Sequence, residues 1–265
     1  MPIRIVTWNI NSVRARADRM LSYLKGSAPD VLCLQELKCT EDQFPHADVE
    51  ALGYRVAMFG QKSFNGVAIL SKTESTEVVR NITDGAEDEH SRLIGAKVNG
   101  ISVYCLYAPN GQAVASEAYE YKLIWYGRLK RWLQSRHQPG DPVLLCGDFN
   151  VAPEDIDVWD PRLFAGHTLF TDPEKRSFRE LQSSLGFADL FRKHHPEAGL
   201  FSWWDYRASA FKKNQGLRID HLLGTEAVAK RCTGAGVDKA AREGHVYGGV
   251  NPPSDHAPVW CELEG

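Results

Sequence analysis

Short apolar runs recur along the whole chain and predict a protein rich in β-strands. The runs are shorter than a typical helix and are flanked by turn-forming or polar residues, as strands of a sheet core are. They lie at residues 3–8, 31–35, 54–58, 66–71, 92–98, 101–107, 143–147, 218–223 and 258–263. We therefore expect a sheet-based core.

Helical spacing of apolar residues appears between several of these runs. Ser12 is a predicted N-cap, and a helix is expected to follow it. Its apolar face consists of Val13, Ala17, Met20, Leu21 and Leu24. The same spacing predicts a second helix over residues 116–136. Ser177 and Glu180 have the spacing of a capping box, which predicts a third helix that runs from there toward Gly186.

Segments 72–91 and 152–176 are predicted to be loops. Several strands follow one another without an intervening helix, so the pattern predicts a layered α/β domain with mixed sheets. Strict alternation of strands and helices would be needed for a doubly wound parallel sheet. No linker or low-complexity tract interrupts the chain, and we expect one domain over residues 1–265.

Composition and charge narrow the class of protein. With 43% hydrophobic and 25% charged residues the chain is typical of globular proteins. The net charge of −3 creates no overall positive field, so contact with a polyanion would need a local basic patch. No signal peptide and no apolar run of membrane-spanning length are present, and the cysteines form no Cys-x-x-Cys pair. These features predict a cytoplasmic protein with reduced, buried cysteines and no membrane partner.

The segment Gly147-Asp148-Phe149-Asn150 carries the strongest chemical signal. It follows the apolar run 142–146, so a buried strand would deliver a carboxylate and an amide to its carboxyl end. Ligands bind at that edge in open α/β sheets, and oxygen donors of this kind suit a hard cation. The alternative is a plain turn in which Asp148 and Asn150 bond their own backbone.

Other strand ends carry similar side chains. These are Asn9, Asn11, Gln35, Glu36, Tyr107, Asn110, Asp220, Asp255 and His256. Carboxylates gathered at one edge repel each other unless a cation neutralises them. A divalent metal that keeps waters for a phosphate would meet that need.

The chain resembles the exonuclease III family of DNA repair nucleases, within the larger endonuclease/exonuclease/phosphatase superfamily. The matching motifs run in the family's order from residue 6 to residue 260. They are Trp8-Asn9-Ile10-Asn11, Leu34-Gln35-Glu36-Leu37-Lys38, Tyr107-Ala108-Pro109-Asn110-Gly111, Gly147-Asp148-Phe149-Asn150-Val151-Ala152, Trp203-Trp204-Asp205-Tyr206-Arg207, Gly216-Leu217-Arg218-Ile219-Asp220 and Ser254-Asp255-His256-Ala257-Pro258.

The resemblance implies a four-layered α/β sandwich in which two packed mixed β-sheets are flanked by helices. It implies a Mg²⁺-dependent nuclease that cleaves 5′ to abasic sites and has 3′→5′ exonuclease and 3′-phosphodiesterase activity, with Mn²⁺ as the alternative ion. The implied partner is double-stranded DNA with abasic sites or 3′ ends, bound by a monomer.

Roles for the strand-end residues also follow from the resemblance. Glu36 would be the principal metal ligand, with Asp255 and Asn9 nearby. Asp148 and Asn150 would hold the scissile phosphate, a second metal position or the attacking water, and Asp148 is the alternative to His256 as general base. Asp220 would orient His256, which would act as general base, electrostatic clamp or metal ligand. Tyr107 would donate a hydrogen bond to a phosphate oxygen.

Asn11 and His221, which neighbour these residues in sequence, are not expected to have a catalytic or metal-binding role of the same weight. Asn11 stands where the eukaryotic members have Asp, which weakens a role for it as a metal ligand. His221 lies inside a strand run and is interpreted as a packing residue.

Residues 203–218 combine aromatic and basic side chains, which suits a loop that contacts DNA phosphates and unpaired steps. The expected DNA contacts are Trp203, Trp204, Arg207, Lys212, Lys213 and Arg218, together with Arg92 and Asn110. The alternative is that the pair Trp203 and Trp204 belongs to the core, Trp204 above all, and that the lysines are merely solvated.

Two other functions stay open from the sequence. One is a non-catalytic binding regulator on the same fold. The other is a phosphodiesterase that acts on RNA or another phosphate ester, because metal chemistry alone does not name a substrate.

Overall fold

Two six-stranded sheets face each other in the structure, a computed structural model that describes residues 2–265. In spatial order, the first sheet contains β11 (Cys232–Val237), β12 (Val259–Leu263), β1 (Ile3–Asn9), β2 (Val31–Gln35), β4 (Val67–Ser71) and β3 (Arg55–Phe59). The second contains β5 (Thr76–Arg80), β6 (Leu93–Val98), β7 (Ile101–Tyr107), β8 (Val143–Asp148), β10 (Asp220–Gly224) and β9 (Ala188–Asp189).

Seven α-helices lie on or beside the two sheets in the described part of the chain. They are α1 (Val13–Ser27), α2 (His46–Ala51), α3 (Glu117–Arg136), α4 (Pro161–Phe164), α5 (Asp172–Ser184), α6 (Leu190–His194) and α7 (Glu226–Ala229). Met20 and Tyr23 of α1 pack on the first sheet, whereas Trp125 of α3 and Phe178 of α5 pack on the second. The layers therefore follow the order helix, sheet, sheet, helix, and the expected four-layered α/β sandwich is confirmed.

The main apolar core lies between the two sheets. Ile5 and Ile69 of the first sheet and Val103, Leu144 and Leu222 of the second belong to one buried cluster. Each buried aliphatic side chain contributes about 1.5–3 kcal/mol relative to exposure. This core holds the two sheets together and so fixes the distance between the strand ends at their shared edge.

Both sheets mix parallel and antiparallel pairs. β1 runs parallel to β2, with Asn9 opposite Gln35, and β7 runs parallel to β8, with Tyr107 opposite Asp148. β10 runs antiparallel to β8, so its first residue, Asp220, lies beside the last residue of β8. The carboxyl ends of four strands and the start of a fifth thus meet at one edge.

The strand boundaries expected from the apolar runs agree with the structure to within about two residues. The capping box at Ser177 is wrong, because Ser177 lies inside α5. The true capping box pairs Thr171 with Glu174, and it begins the helix five residues earlier, at Asp172.

The two predicted loops are also partly wrong. Segment 72–91 contains β5, and segment 152–176 contains α4 and the first turn of α5. The elements β9, β11, α2, α6 and α7 were not expected, because they are short or glycine-containing and carry no clear periodic pattern.

All six cysteines are free and buried, as expected. None of the helices within residues 2–265 combines the length and the apolar character that a membrane crossing requires.

Gly147, a residue of β8, lies tightly against β7. Its φ of +145° is one that side-chain-bearing residues rarely adopt, and an added Cβ would overlap the carbonyl oxygen of Leu106. We expect Gly147→Ala to lower the free energy of unfolding by about 3 kcal/mol, from backbone strain and overpacking together.

Urea denaturation measures this loss. The matched control is Gly244→Ala, since Gly244 has open space around its Cα and no positive φ. Equal stability of the two variants would contradict the described packing of β8 against β7.

Candidate active site

Asn9 joins carboxylates from both sheets. Its Nδ2 donates to Glu36 Oε1 at 2.7 Å and to Asp148 Oδ2 at 2.9 Å. Glu36 follows β2 of the first sheet and Asp148 ends β8 of the second. One amide therefore bridges two acids that no local sequence pattern brings together.

Glu36, Asp148 and His256 form a group that could hold a metal ion. Each offers one ligand atom, and these atoms lie within 4.8 Å of one another. Two carboxylates and an imidazole at this spacing fit a divalent cation, whose charge would relieve the repulsion between the acids. Glu36 adopts a left-handed backbone with φ of +52°, and its carbonyl accepts a hydrogen bond from Ser12 N at 2.7 Å.

Asn9 presents its nitrogen, not its oxygen, to this group. Its Oδ1 accepts a hydrogen bond from Asn11 N at 3.0 Å. Asn9 thus braces the two carboxylates, and its expected role as a metal ligand stays a prediction.

Asp255 lies beside the group but is occupied by other partners. Its Oδ1 accepts from Asn11 Nδ2 at 2.9 Å, and its Oδ2 accepts from Trp203 Nε1 at 3.0 Å. Burial opposes ionisation of Asp255, but His256 and these two donors outweigh it and lower its pKa. Its metal-ligand role also stays a prediction.

Lys38 supplies a positive charge next to Glu36. Its Nζ lies 2.9 Å from Glu36 Oε2 and donates to Asn11 Oδ1 at 2.6 Å. Asn11, which is not one of the three clustered ligands, therefore links the Lys38 ammonium to Asp255.

His256 is held between two carboxylates. Its Nδ1 lies 2.9 Å from Asp220 Oδ2, and its Nε2 lies 3.7 Å from Asp148 Oδ2. Burial alone would lower the pKa of His256, but Asp220 and Asp148 outweigh it and raise that pKa to about 10. This pKa favours the imidazolium form of His256 at neutral pH.

Ser202 fixes the Asp220 carboxylate. Its Oγ donates to Asp220 Oδ2 at 2.6 Å and accepts from Asp220 N at 3.1 Å. Sequence analysis missed this residue, because a serine between aromatic residues carries no local signal for such a contact.

Asp148 makes a turn contact through one carboxylate oxygen, and its carboxylate also has a shifted pKa. Its Oδ1 accepts from Asn150 N at 2.9 Å, which is the turn contact considered as the alternative for this motif. Burial raises the pKa of Asp148 to about 7; His256 opposes this shift, while Asp220 and Glu36 reinforce it. The turn and the clustered site therefore coexist.

Tyr107 and two amides line the same edge. Burial, followed by the Glu36 and Asp148 carboxylates, raises the pKa of Tyr107 well above its usual value, so its phenol keeps its proton. Asn110 Nδ2 donates to Asn150 Oδ1 at 3.0 Å, and Asn150 Nδ2 donates to the Ala108 carbonyl at 2.9 Å.

Two of the expected DNA contacts are wrong. Arg218 is only 1% exposed, and its guanidinium contacts Asp157 at 2.6 Å and Asp189 at 2.8 Å. Trp204 is also 1% exposed and packs edge-on against Phe211. Neither side chain can reach a ligand on the surface.

The other residues expected to contact DNA keep some exposure. Arg207, Lys212, Lys213 and Asn110 are exposed, whereas Trp203 and Arg92 are half-buried. Arg207 pairs with Asp205, and Arg92 lies 5.2 Å from the centre of the Tyr107 ring. Their contact with DNA stays a prediction.

His221 packs in the interior, as expected. It is fully buried against Phe149 and Phe178, and its Nε2 lies 2.8 Å from the Val151 carbonyl oxygen.

Comparisons with known proteins agree with this geometry. The model of the endonuclease/exonuclease/phosphatase family matches residues 6–256. Exodeoxyribonuclease III of Haemophilus influenzae is 35% identical, and the alignment covers 99% of this chain and 100% of the relative.

Two solved structures share the fold closely. A variant of the 3′ phosphatase NExo from Neisseria, bound to a product DNA hairpin, has a TM-score of 0.93 and 36% identity over 99% of this chain and 100% of its own. An AP endonuclease from Archaeoglobus fulgidus has a TM-score of 0.93 and 38% identity over the same shares.

The charge state of His256 depends on Asp220, and replacing that carboxylate tests the arrangement. We expect Asp220→Asn to lower the pKa of His256 by about 1–3 units, since a close opposite charge raises an imidazole pKa by that amount. The His256 ring of the parent protein keeps its proton well above neutral pH. In Asp220→Asn the ring would lose that proton nearer to neutral pH.

NMR titration of the His256 ring in the metal-free protein measures this change. Glu226→Gln is the control, because Glu226 is exposed in α7 and, within residues 2–265, its carboxylate pairs only with Lys230. An unchanged His256 titration in Asp220→Asn would contradict the conclusion that the Asp220 carboxylate raises the pKa of His256.

Proposed function

Because the chain belongs to the endonuclease/exonuclease/phosphatase family, we propose that it is a DNA repair nuclease of the exodeoxyribonuclease III type that uses Mg²⁺. It would cleave duplex DNA 5′ to abasic sites and remove nucleotides and blocking groups from 3′ ends. The observation that carries this proposal is the group Glu36, Asp148 and His256 with its Asn9 bridge. Full-length similarity to an exodeoxyribonuclease III supports it.

Glu36 would be the principal metal ligand, with Asp255, Asn9 and Asn150 as further proposed ligands. Asp148 and His256 complete the clustered group, and each would ligate the metal only in its deprotonated form, as the alternative to a proton-transfer role for Asp148 and a clamp role for His256. Mg²⁺ suits the carboxylates, and Mn²⁺ is the alternative ion. Such an ion supplies Lewis-acid stabilisation of charge on a phosphate.

Three donors of the chain would stabilise the transition state. Tyr107 keeps its phenol proton, His256 is an imidazolium, and Asn150 offers the amide hydrogen that the Ala108 carbonyl does not accept. Donors aimed at developing charge are worth about 3 kcal/mol each. Because His256 already carries its proton at neutral pH, we assign it the clamp role rather than that of general base.

Asp148 is the better general base. Burial raises the pKa of Asp148 to about 7, which makes its carboxylate a stronger base than that of an ordinary aspartate. Asn9 holds Oδ2 of Asp148, and Asn150 N holds Oδ1, so the carboxylate has a fixed orientation. Proton transfer by a group placed in this way contributes about 10²–10⁴-fold.

The DNA would lie across the exposed cations beside this edge. Lys212, Lys213 and Arg207 would contact phosphates, and Trp203, Arg92 and Asn110 would contact the distorted strand. Distortion of the duplex costs less free energy at an abasic site than in intact DNA. We propose that a monomer of one domain, residues 1–265, carries out the reaction.

A labelled duplex with one abasic site tests this function. We expect a single-strand break 5′ to the lesion in Mg²⁺, no break in EDTA, and a loss of at least about 10²-fold in Asp148→Asn. Glu226→Gln, an exposed carboxylate in α7, should cleave like the parent.

Other results would separate the alternatives. Binding of the duplex without cleavage in Mg²⁺ or Mn²⁺ would indicate a non-catalytic regulator. Cleavage of RNA or another phosphate ester, with intact duplex DNA, would indicate a different phosphodiesterase.

A further inference from the structure

Lys122 places a buried ammonium directly behind the candidate active site. Its side chain and that of its partner Glu174 have no solvent exposure. Lysine is almost never fully buried unless it is paired. The Lys122 Nζ contacts the Glu174 carboxylate and two backbone carbonyls, so its three N–H groups all have acceptors.

The two carbonyls belong to the two site loops. Lys122 donates to the Asn150 carbonyl at 2.6 Å and to the Asn110 carbonyl at 3.2 Å. Asn110 follows β7 and Asn150 follows β8, and their side chains bond each other at 3.0 Å. One cation therefore ties together the backbone beneath both amides.

The hydrogen bond from Lys122 stabilises an unusual backbone conformation at Asn150. Its φ of +51° lies in the left-handed region, which asparagine tolerates but does not favour over ordinary conformations. One turn farther along α3, Tyr126 donates to the neighbouring Phe149 carbonyl at 2.5 Å. The helix thus holds two successive carbonyls of the Asp148–Asn150 loop.

Glu174 fixes the ammonium from the other side. Its Oε2 accepts from Thr171 N at 3.0 Å and from Thr171 Oγ at 2.6 Å, within the cap of α5. These contacts orient the carboxylate independently of Lys122. The pair therefore acts as a rigid brace between α5 and the site loops.

We propose that Lys122 is a positioning residue for phosphodiester hydrolysis, which sets the Asn110 and Asn150 amides toward the phosphate. This inference rests on the proposed function. Small misplacement of such groups lowers the rate about 10²-fold without preventing binding. A merely structural pair would affect stability and leave kcat unchanged.

The test replaces the buried pair by neutral residues of similar size, Lys122→Met with Glu174→Gln. Removing both charges avoids an unpaired buried carboxylate, which alone would destabilise the protein. We expect kcat on the abasic-site duplex to fall about 10–100-fold with KM changed less than about threefold. The side-chain amide NMR signals of Asn110 and Asn150 should shift.

A matched control exists on the same two helices. Lys130 of α3 and Glu180 of α5 form an exposed ion pair at 2.7 Å. The double variant Lys130→Met with Glu180→Gln should keep the parent kcat and the parent amide signals. If the buried double variant does not fold, Lys122→Gln with Glu174→Gln replaces it, since glutamine is too short to reach both carbonyls.

Two results would overturn the inference. One is a parent-like kcat in the buried double variant. The other is unchanged amide signals of Asn110 and Asn150 in that variant. The second readout does not depend on catalysis, so an inactive parent would contradict the proposed function while the amide signals still decide the role of Lys122.

Discussion

Repulsion among buried carboxylates is the constraint on which the site depends. Glu36, Asp148, Asp220 and Asp255 gather at one edge around the single imidazole of His256. Burial and neighbouring acids raise the pKa of Asp148 to about 7, because the crowded site disfavours the ionised form of this carboxylate. The apolar core between the sheets must hold these groups together. The Asn9 amide, His256 and Lys38 offset their repulsion, and a bound divalent cation would offset it further.

The same crowding assigns different protonation states to neighbouring groups. Asp220 keeps His256 protonated, burial and the acids keep the Tyr107 phenol protonated, and Asp148 titrates near neutrality. One cluster of charges would thus supply the two donors and the base of the proposed reaction. The sheet topology is what makes this cluster, because parallel pairs in both sheets end at the same edge.

Much of this arrangement could be predicted from sequence because polar residues follow apolar strands. Glu36 and Asp148 were expected on that basis, His256 was expected because it lies just before the last strand, and the layered fold followed from consecutive strands. Burial was harder to predict: Arg218 appeared to be a surface cation because its partners Asp157 and Asp189 are distant in sequence. The same holds for Lys122, whose partner Glu174 is brought close only by the packing of α3 on α5.

The most direct test of the account is the proton balance of Mg²⁺ binding to the free protein near pH 7. Calorimetry in buffers of different ionisation enthalpy measures it, with Glu36→Gln as the comparison. The account requires proton release on binding, because the cation displaces the proton that Asp148 partly holds, and it requires weaker binding in Glu36→Gln. Absence of binding, or binding without proton release, would contradict the claim that a divalent cation balances the carboxylates.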